Sequence, residues 1–104
     1  MPLIEKAFAK VHVNYEMISS GTHAEAARFL TGAPSVEYMT NIDTVDEVWS
    51  GVNNAIRNNY MVTAACFIEQ SGLVAGHGYI VKDFILTKDA NGEEVKLIKI
   101  RNPW

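Results

Sequence analysis

Apolar residues recur at helical spacing in the first half of the chain. In PLIEKAFAKVH, residues 2–12, one stripe holds the apolar side chains Leu3, Ile4, Ala7, Phe8 and Val11. The charged residues of this segment lie away from that stripe, as in an amphipathic helix, and proline is tolerated in a first helical turn. The pattern therefore predicts a helix that begins near Pro2.

Two further segments begin with a capping signal. In residues 20–32, Thr22 and Glu25 have capping-box spacing and Gly32 suits a C-terminal cap. Residues 41–59 repeat the signal at Thr44 and Glu47, and apolar residues follow at helical spacing: Val45, Val48, Trp49, Val52 and Ile56. Two more helices are predicted, and VEYMTNI, residues 36–42, alternates enough to predict a brief strand between them.

The hydrophobic pattern changes to that of strands after residue 59. YMVTAACFIE, residues 60–69, is a β-branched and aromatic run that predicts a strand buried on both faces. HGYIVKDFIL (77–86) and EVKLIKI (94–100) predict two more strands around a turn at Asn91-Gly92. Helices first and antiparallel strands last predict an α+β fold, with the N-terminal helices packed on the sheet.

Length and charge limit the range of functions. A chain of 104 residues that is 48% hydrophobic predicts a single domain over residues 1–104. The net charge of −3 and the scattered basic residues argue against nucleic acid as a partner. One cysteine cannot form an internal disulfide, and no export signal or membrane-length apolar run is present. A cytoplasmic protein is therefore expected.

His77 and Asn102 are candidate catalytic residues. A turn near Asn91-Gly92 with a loop of about two to four residues sets Asn102 opposite a residue between roughly 79 and 81. His77 then becomes a diagonal neighbour about 7–8 Å away between backbones. An asparagine oxygen can accept a hydrogen bond from an imidazole and fix its tautomer, leaving the ring to take a proton from a thiol. The alternative is a strand-end histidine bonded to backbone.

The other candidate groups point to structural roles. Cys66 lies within MVTAACFI, where no cation or helix N-terminus is evident, so we interpret it as a buried small hydrophobe rather than a nucleophile. His12 and His23 lack the spacing of a zinc site, and DANGEE (89–94) lacks that of a calcium loop. The aromatic residues Phe8, Phe29, Trp49, Phe67 and Phe84 fit core positions.

These residues also carry a family resemblance. LIEKAFAKVHVNYEMISSG, FLTG, GHGYIV and above all KLIKIRNPW closely resemble the second half of the calpain protease core, a papain-like cysteine peptidase, from Leu3 to Trp104. The resemblance implies that His77 and Asn102 are catalytic and that Trp104 shields the pair from water. It also implies that the nucleophilic cysteine belongs to another lobe, which precedes this segment.

The resemblance has further implications for partners and cofactors. It predicts a His- and Asn-bearing half of a cysteine endopeptidase, inactive alone, whose partners are the nucleophile-bearing lobe and a polypeptide substrate. Without that lobe, the face that carries His77 is expected to meet solvent and the ring to be at least partly exposed. No metal or cofactor is expected in this chain, although calcium is possible in the complete protein. EQSGLVAG (69–76) is a shorter connection than calpains often have, and Gly78 replaces a usual alanine. A calpain-like module that binds polypeptide without catalysis is the alternative.

Overall fold

The computed structural model describes residues 2–104 as two compact units, one reaching Glu37 and one from Tyr38 to Trp104. The elements in chain order are α1 (Pro2–Val11), a short 3-10 helix (Glu16–Ile18), α2 (His23–Thr31), α3 (Val45–Arg57), β1 (Thr63–Cys66), β2 (His77–Lys88) and β3 (Glu94–Arg101). Helices come first and an antiparallel sheet last, which confirms the predicted α+β class. The single domain over residues 1–104 stays a prediction.

The first unit is held together by aromatic contacts between its helices. The Phe8 ring of α1 meets the Phe29 ring of α2 edge-on, with 4.6 Å between centroids. Thr22 caps α2 by accepting a hydrogen bond from the Glu25 amide, as predicted, and Gly32 ends the helix in the left-handed conformation. The second half of the predicted capping box does not form, because the Glu25 carboxylate lies 3.8 Å from the His12 ring instead.

Residues 36–42 were predicted as a brief strand, and this prediction was wrong. The segment is irregular and ends in a turn in which the Ile42 and Asp43 amides both donate to the Met39 carbonyl, at 2.8 and 2.7 Å. The Asp43 carboxylate accepts from the Met39 amide in return. Because the backbone turn and the Asp43 side chain satisfy these groups locally, they are not available to a neighbouring strand.

Helix α3 starts at a complete capping box and packs on the sheet. The Glu47 amide donates to the Thr44 hydroxyl at 3.3 Å, and the Thr44 amide donates to the Glu47 carboxylate at 2.8 Å. Trp49 meets Phe84 of β2 edge-on at 5.5 Å. A salt bridge between Lys96 of β3 and Asp46 adds a second link between helix and sheet.

The sheet has the order β1-β2-β3, with each neighbouring pair antiparallel. The β2–β3 hairpin turns at Asn91-Gly92 as predicted. Gly92 has a φ of 83° and donates to the Asp89 carbonyl at 3.1 Å. Its positive φ after a short turn matches a three-residue hairpin loop, within the predicted range.

Strand β1 is shorter and less buried than predicted. It covers four residues, of which Thr63 and Ala65 are exposed while Ala64 and Cys66 are half-buried. The prediction of a strand buried on both faces was wrong because β1 lies at the edge of the sheet. Phe67 follows the strand and is 84% exposed, and Phe29 of α2 is 38% exposed, so the core positions predicted for these two residues were also wrong.

Among residues 2–104, no helix has the length and apolar character needed to cross a membrane.

Candidate active site

The hairpin register places His77 and Asn102 at one end of the sheet. Ile80 of β2 pairs with Arg101 of β3, so the next residues along, Tyr79 and Asn102, come opposite one another. The register is irregular between Val81 and Asp83. Tyr79, the residue opposite Asn102, nevertheless lies within the range of roughly 79 to 81 that was predicted from the turn. His77 lies two residues beyond Tyr79 on the same face, because side chains alternate along a strand.

The His77 and Asn102 side chains are joined by a hydrogen bond. The His77 Nε2 and Asn102 Oδ1 atoms are 2.7 Å apart. The same Oδ1 accepts from the Trp104 backbone amide at 3.0 Å, which fixes the orientation of the carboxamide. A carboxamide oxygen can only accept, so His77 Nε2 carries a hydrogen, and in the neutral ring the free lone pair is on Nδ1.

Trp104 covers one side of the imidazole. Its ring centroid lies 4.0 Å from that of His77, and the two planes are tilted by 46°. Trp104 remains 84% exposed, whereas His77 is buried. The Trp104 ring thus lies directly against one side of the His77 ring.

His77 is only 9% exposed, although a partly exposed ring was expected from the sequence. That expectation assumed that this face meets solvent without the second lobe, and it was wrong because residues of the same unit cover the ring. Tyr79, itself 6% exposed, contacts the ring edge-on at 4.9 Å, and Trp104 covers it from another direction. The imidazole is therefore held in a preformed environment within this unit.

Cys66 is not the fully buried residue that the sequence predicted. It is half-buried, pairs directly with His77 in the β1–β2 register, and so shares a face with that ring. Its thiol donates to the Ile68 carbonyl at 2.8 Å. The thiol is thus bonded to backbone, and no hydrogen bond to His77 is formed.

Two carboxyl groups in the first turn of α3 have lowered pKa values. Hydrogen bonding to Lys96 and its positive charge lower the pKa of the Asp46 carboxyl. Hydrogen bonds from the Thr44 amide and hydroxyl lower the pKa of Glu47. Over residues 2–104 no group of three or more His, Cys, Asp or Glu side chains is placed to hold a metal ion.

Sequence reasoning missed Tyr79 and its contact with the β1–β2 loop. The Val74 amide donates to the Tyr79 hydroxyl at 2.8 Å, which ties the β1–β2 loop to a buried side chain next to His77. The spacing of two residues on one strand could have indicated the contact between Tyr79 and His77, because it places both side chains on the same face. The partner of the hydroxyl could not be predicted, because it depends on how the loop folds back.

The family with the description "Calpain family cysteine protease" matches residues 1–104. The chain belongs to the calpain family of cysteine proteases. Similar curated members include human Calpain-9, 29% identical over 98% of this chain, and Drosophila melanogaster Calpain-A, 30% identical over 98%. The calpain-type cysteine protease ADL1 of Oryza sativa subsp. japonica is also 30% identical over 98% of the chain.

This calpain-family chain covers a small part of each of those relatives. It spans 16% of human Calpain-9, 14% of Drosophila Calpain-A and 5% of rice ADL1. The activity of a complete calpain therefore enters only as a proposal about the residues described above.

Proposed function

We propose that the chain is the His- and Asn-bearing half of a calpain-like cysteine endopeptidase, with His77 as catalytic base and Asn102 as its orienting partner. One observation carries the proposal, namely the 2.7 Å hydrogen bond between His77 Nε2 and Asn102 Oδ1. This bond leaves Nδ1 as the basic nitrogen. Membership of a cysteine protease family supplies the reaction class, which is hydrolysis of peptide bonds in a polypeptide substrate.

In this mechanism the thiol comes from a second lobe that docks against the face bearing His77. Nδ1 takes the thiol proton, and the resulting thiolate attacks the scissile carbonyl carbon. The imidazolium then returns this proton to the leaving amine as the C–N bond breaks. A water molecule, deprotonated by the neutral ring, then attacks the thioester carbonyl carbon. The C–S bond breaks, the second product leaves as a carboxylic acid, and the imidazolium returns the proton to the thiolate.

Asn102 and Trp104 prepare the ring for both proton transfers. The Asn102 oxygen accepts from Nε2 whether the ring is neutral or protonated, so the same contact serves both states. Because the Trp104 amide also donates to that oxygen, the carboxamide cannot turn over without losing a second bond. The Trp104 ring keeps water from competing for the Nε2 hydrogen.

Cys66 does not act as the nucleophile in this proposal. Its thiol donates to the Ile68 carbonyl, and its backbone is fixed opposite His77 in the sheet, so the two side chains lie side by side. A nucleophile must instead approach Nδ1 with its thiol directed at both the ring and the substrate. The 104-residue chain alone is expected to leave peptides intact.

The experiment is complementation with a separately produced calpain lobe that contains the nucleophilic cysteine. Each part alone should be inactive on a fluorogenic peptide and on casein, and mixing them should restore hydrolysis. Cys66→Ser should keep the restored activity, since its thiol takes no part in the chemistry. Activity lost on Cys66→Ser with the chain still folded would contradict the proposal, and binding of polypeptide without turnover would favour the non-catalytic module.

A further inference from the structure

We propose that Tyr79 is a positioning residue that couples the β1–β2 loop, residues 67–76, to the imidazole of His77. The inference rests on the proposed function in one respect, since it treats His77 as the catalytic base. The contacts between the loop, Tyr79 and the His77 ring do not depend on that role. A displacement of the loop is transmitted through the tyrosine to the ring.

The first part of the coupling is the contact between the two rings. The Tyr79 and His77 rings meet at 84° with 4.9 Å between centroids, an edge-to-face geometry that aromatic pairs prefer. Tyr79 is 6% exposed and its backbone pairs with Ala64 of β1. Because the tyrosine is packed on several sides, a change at its hydroxyl end moves the ring against His77 rather than into solvent.

The second part is the hydrogen bond between the loop and the tyrosine. The Val74 amide donates to the Tyr79 hydroxyl at 2.8 Å, five residues away in the chain. This donor belongs to the loop backbone, so the position of the loop determines whether the bond forms. A phenylalanine at position 79 would keep the ring contact and lose this acceptor.

The loop has its own local structure, so it can move as a body. Gln70 and Leu73 exchange two backbone hydrogen bonds of 3.2 and 2.8 Å around Ser71-Gly72. Both central residues have positive φ, 50° at Ser71 and 85° at Gly72, as a type I′ turn requires. The Gly76 amide closes the loop by donating to the Cys66 carbonyl at 2.8 Å.

Val74 follows this small turn directly, and His77 follows the closing glycine. The loop is thus connected to His77 in two ways, covalently through the backbone and non-covalently through the Tyr79 hydroxyl and ring. The side-chain route is the one that responds to loop position. It gives the loop a means of adjusting the orientation of the imidazole without moving the strand that carries it.

The test is a double-mutant cycle in the 104-residue chain. Tyr79→Phe removes the acceptor from the tyrosine side. Gly72→Val strains the turn from the loop side, because a β-branched residue disfavours the φ of 85° there, and a Cβ at this position meets no atom within 4 Å. The matched controls are Tyr60→Phe, at an exposed tyrosine, and Gly92→Val, at a glycine with φ of 83° in the β2–β3 turn.

The measurements are Val74 amide exchange and the side-chain ¹⁵N and Hε1 shifts of His77. Tyr79→Phe should speed Val74 exchange about two- to tenfold, as expected for one lost hydrogen bond. It should also shift the His77 ring signals, and Gly72→Val should shift them in the same direction. The double variant should shift them no further than the larger single change, because both act through one contact.

Two results would overturn the coupling. One is faster Val74 exchange in Tyr79→Phe with unchanged His77 signals, and the other is a Gly72→Val effect on His77 that persists undiminished in the Tyr79→Phe background. Gly72→Ala provides a milder strain should the valine prevent folding. None of these readouts needs turnover, so failure here leaves the proposed catalytic role intact, and failure of that role leaves the coupling intact.

Discussion

At the residue scale, one carboxamide determines which nitrogen of His77 is basic. Asn102 Oδ1 accepts from both the His77 ring and the Trp104 amide, so it links the base to the residue that covers it. Side-chain amides make such fixed, uncharged contacts without adding a negative charge beside the imidazole. The orientation of His77 is therefore a property of three residues together.

Asn102→Ala should remove the preference for the Nε2–H tautomer. Without the acceptor, the neutral ring is free to carry its hydrogen on either nitrogen, so the Nδ1 and Nε2 ¹⁵N shifts should move toward each other at a pH where the ring is neutral. Long-range ¹H–¹⁵N spectra of the chain measure this directly. Asn41→Ala serves as the control, and an unchanged pair of shifts in Asn102→Ala would argue against the assigned tautomer.

The sequence predicted the His77–Asn102 pair but not its burial. Turn type and strand alternation are local, so counting back from Asn91-Gly92 gave the correct neighbours. The 9% exposure of His77 depends on Tyr79 and Trp104 meeting around the ring. Such three-body packing is not encoded in spacing along either strand.

At the element scale, the start of α3 is stabilised by a reciprocal pair of hydrogen bonds. Thr44→Ala should lower the free energy of unfolding by about 0.5–2 kcal/mol at pH 7, the usual cost of losing a helix cap. Chemical denaturation measures this loss. Thr22→Ala at α2 is the comparison, where half of the box forms, and equal unfolding midpoints for Thr44→Ala and wild type would contradict the capping role.

The Thr44 effect should also depend on pH. Hydrogen bonds from Thr44 lower the pKa of Glu47, so this carboxylate stabilises the folded state above the ordinary glutamate value of about 4.3. That stabilisation is lost as pH falls through the lowered pKa, when the carboxyl binds a proton. The difference between wild type and Thr44→Ala should therefore shrink below about pH 4. A constant or growing difference would contradict the linkage.

Gly51 in α3 allows a close approach by Tyr38. A Cβ at position 51 would lie 2.5 Å from the Tyr38 Cζ atom and 2.6 Å from Cε2, inside van der Waals contact. Tyr38 is 43% exposed and its ring can move aside, so Gly51→Ala should destabilise the protein by only about 1 kcal/mol, although alanine is ordinarily the better helix former.

The double variant Tyr38→Ala/Gly51→Ala isolates the cause of this loss. Once the ring is absent, alanine at position 51 should stabilise the helix by about 1 kcal/mol relative to Tyr38→Ala alone. Thermal or denaturant unfolding of the four proteins gives the sign at each step. Destabilisation by Gly51→Ala in both backgrounds would show that Tyr38 is not the reason for the glycine.

The elements that the sequence predicted well are those defined by local signals. Helix caps at Thr22 and Thr44 and the turn at Asn91-Gly92 lie within a few residues of the groups they satisfy. The burial of β1 was predicted wrongly because its position at the sheet edge depends on strand order. Residues 36–42 were mistaken for a strand because their alternation concealed a side-chain-stabilised turn at Asp43.

At the scale of the whole molecule, the proposed catalytic residues belong to one compact unit. His77, Asn102 and Trp104 all lie within Tyr38–Trp104, so their geometry is established by the sheet of that unit. A nucleophile supplied by another lobe would therefore meet a base that is already oriented. This arrangement follows the general principle that positioning groups before the reaction lowers its barrier.

His77→Ala tests the catalytic role of the imidazole through peptide hydrolysis by the chain complemented with a nucleophile-bearing calpain lobe. The variant should retain docking to that lobe and lose at least about a hundredfold in turnover, since it lacks the proton acceptor for the thiol. His23→Ala, at an exposed histidine of α2, should keep the wild-type rate. A docked His77→Ala complex that hydrolyses peptide as fast as the His23→Ala complex would contradict the account.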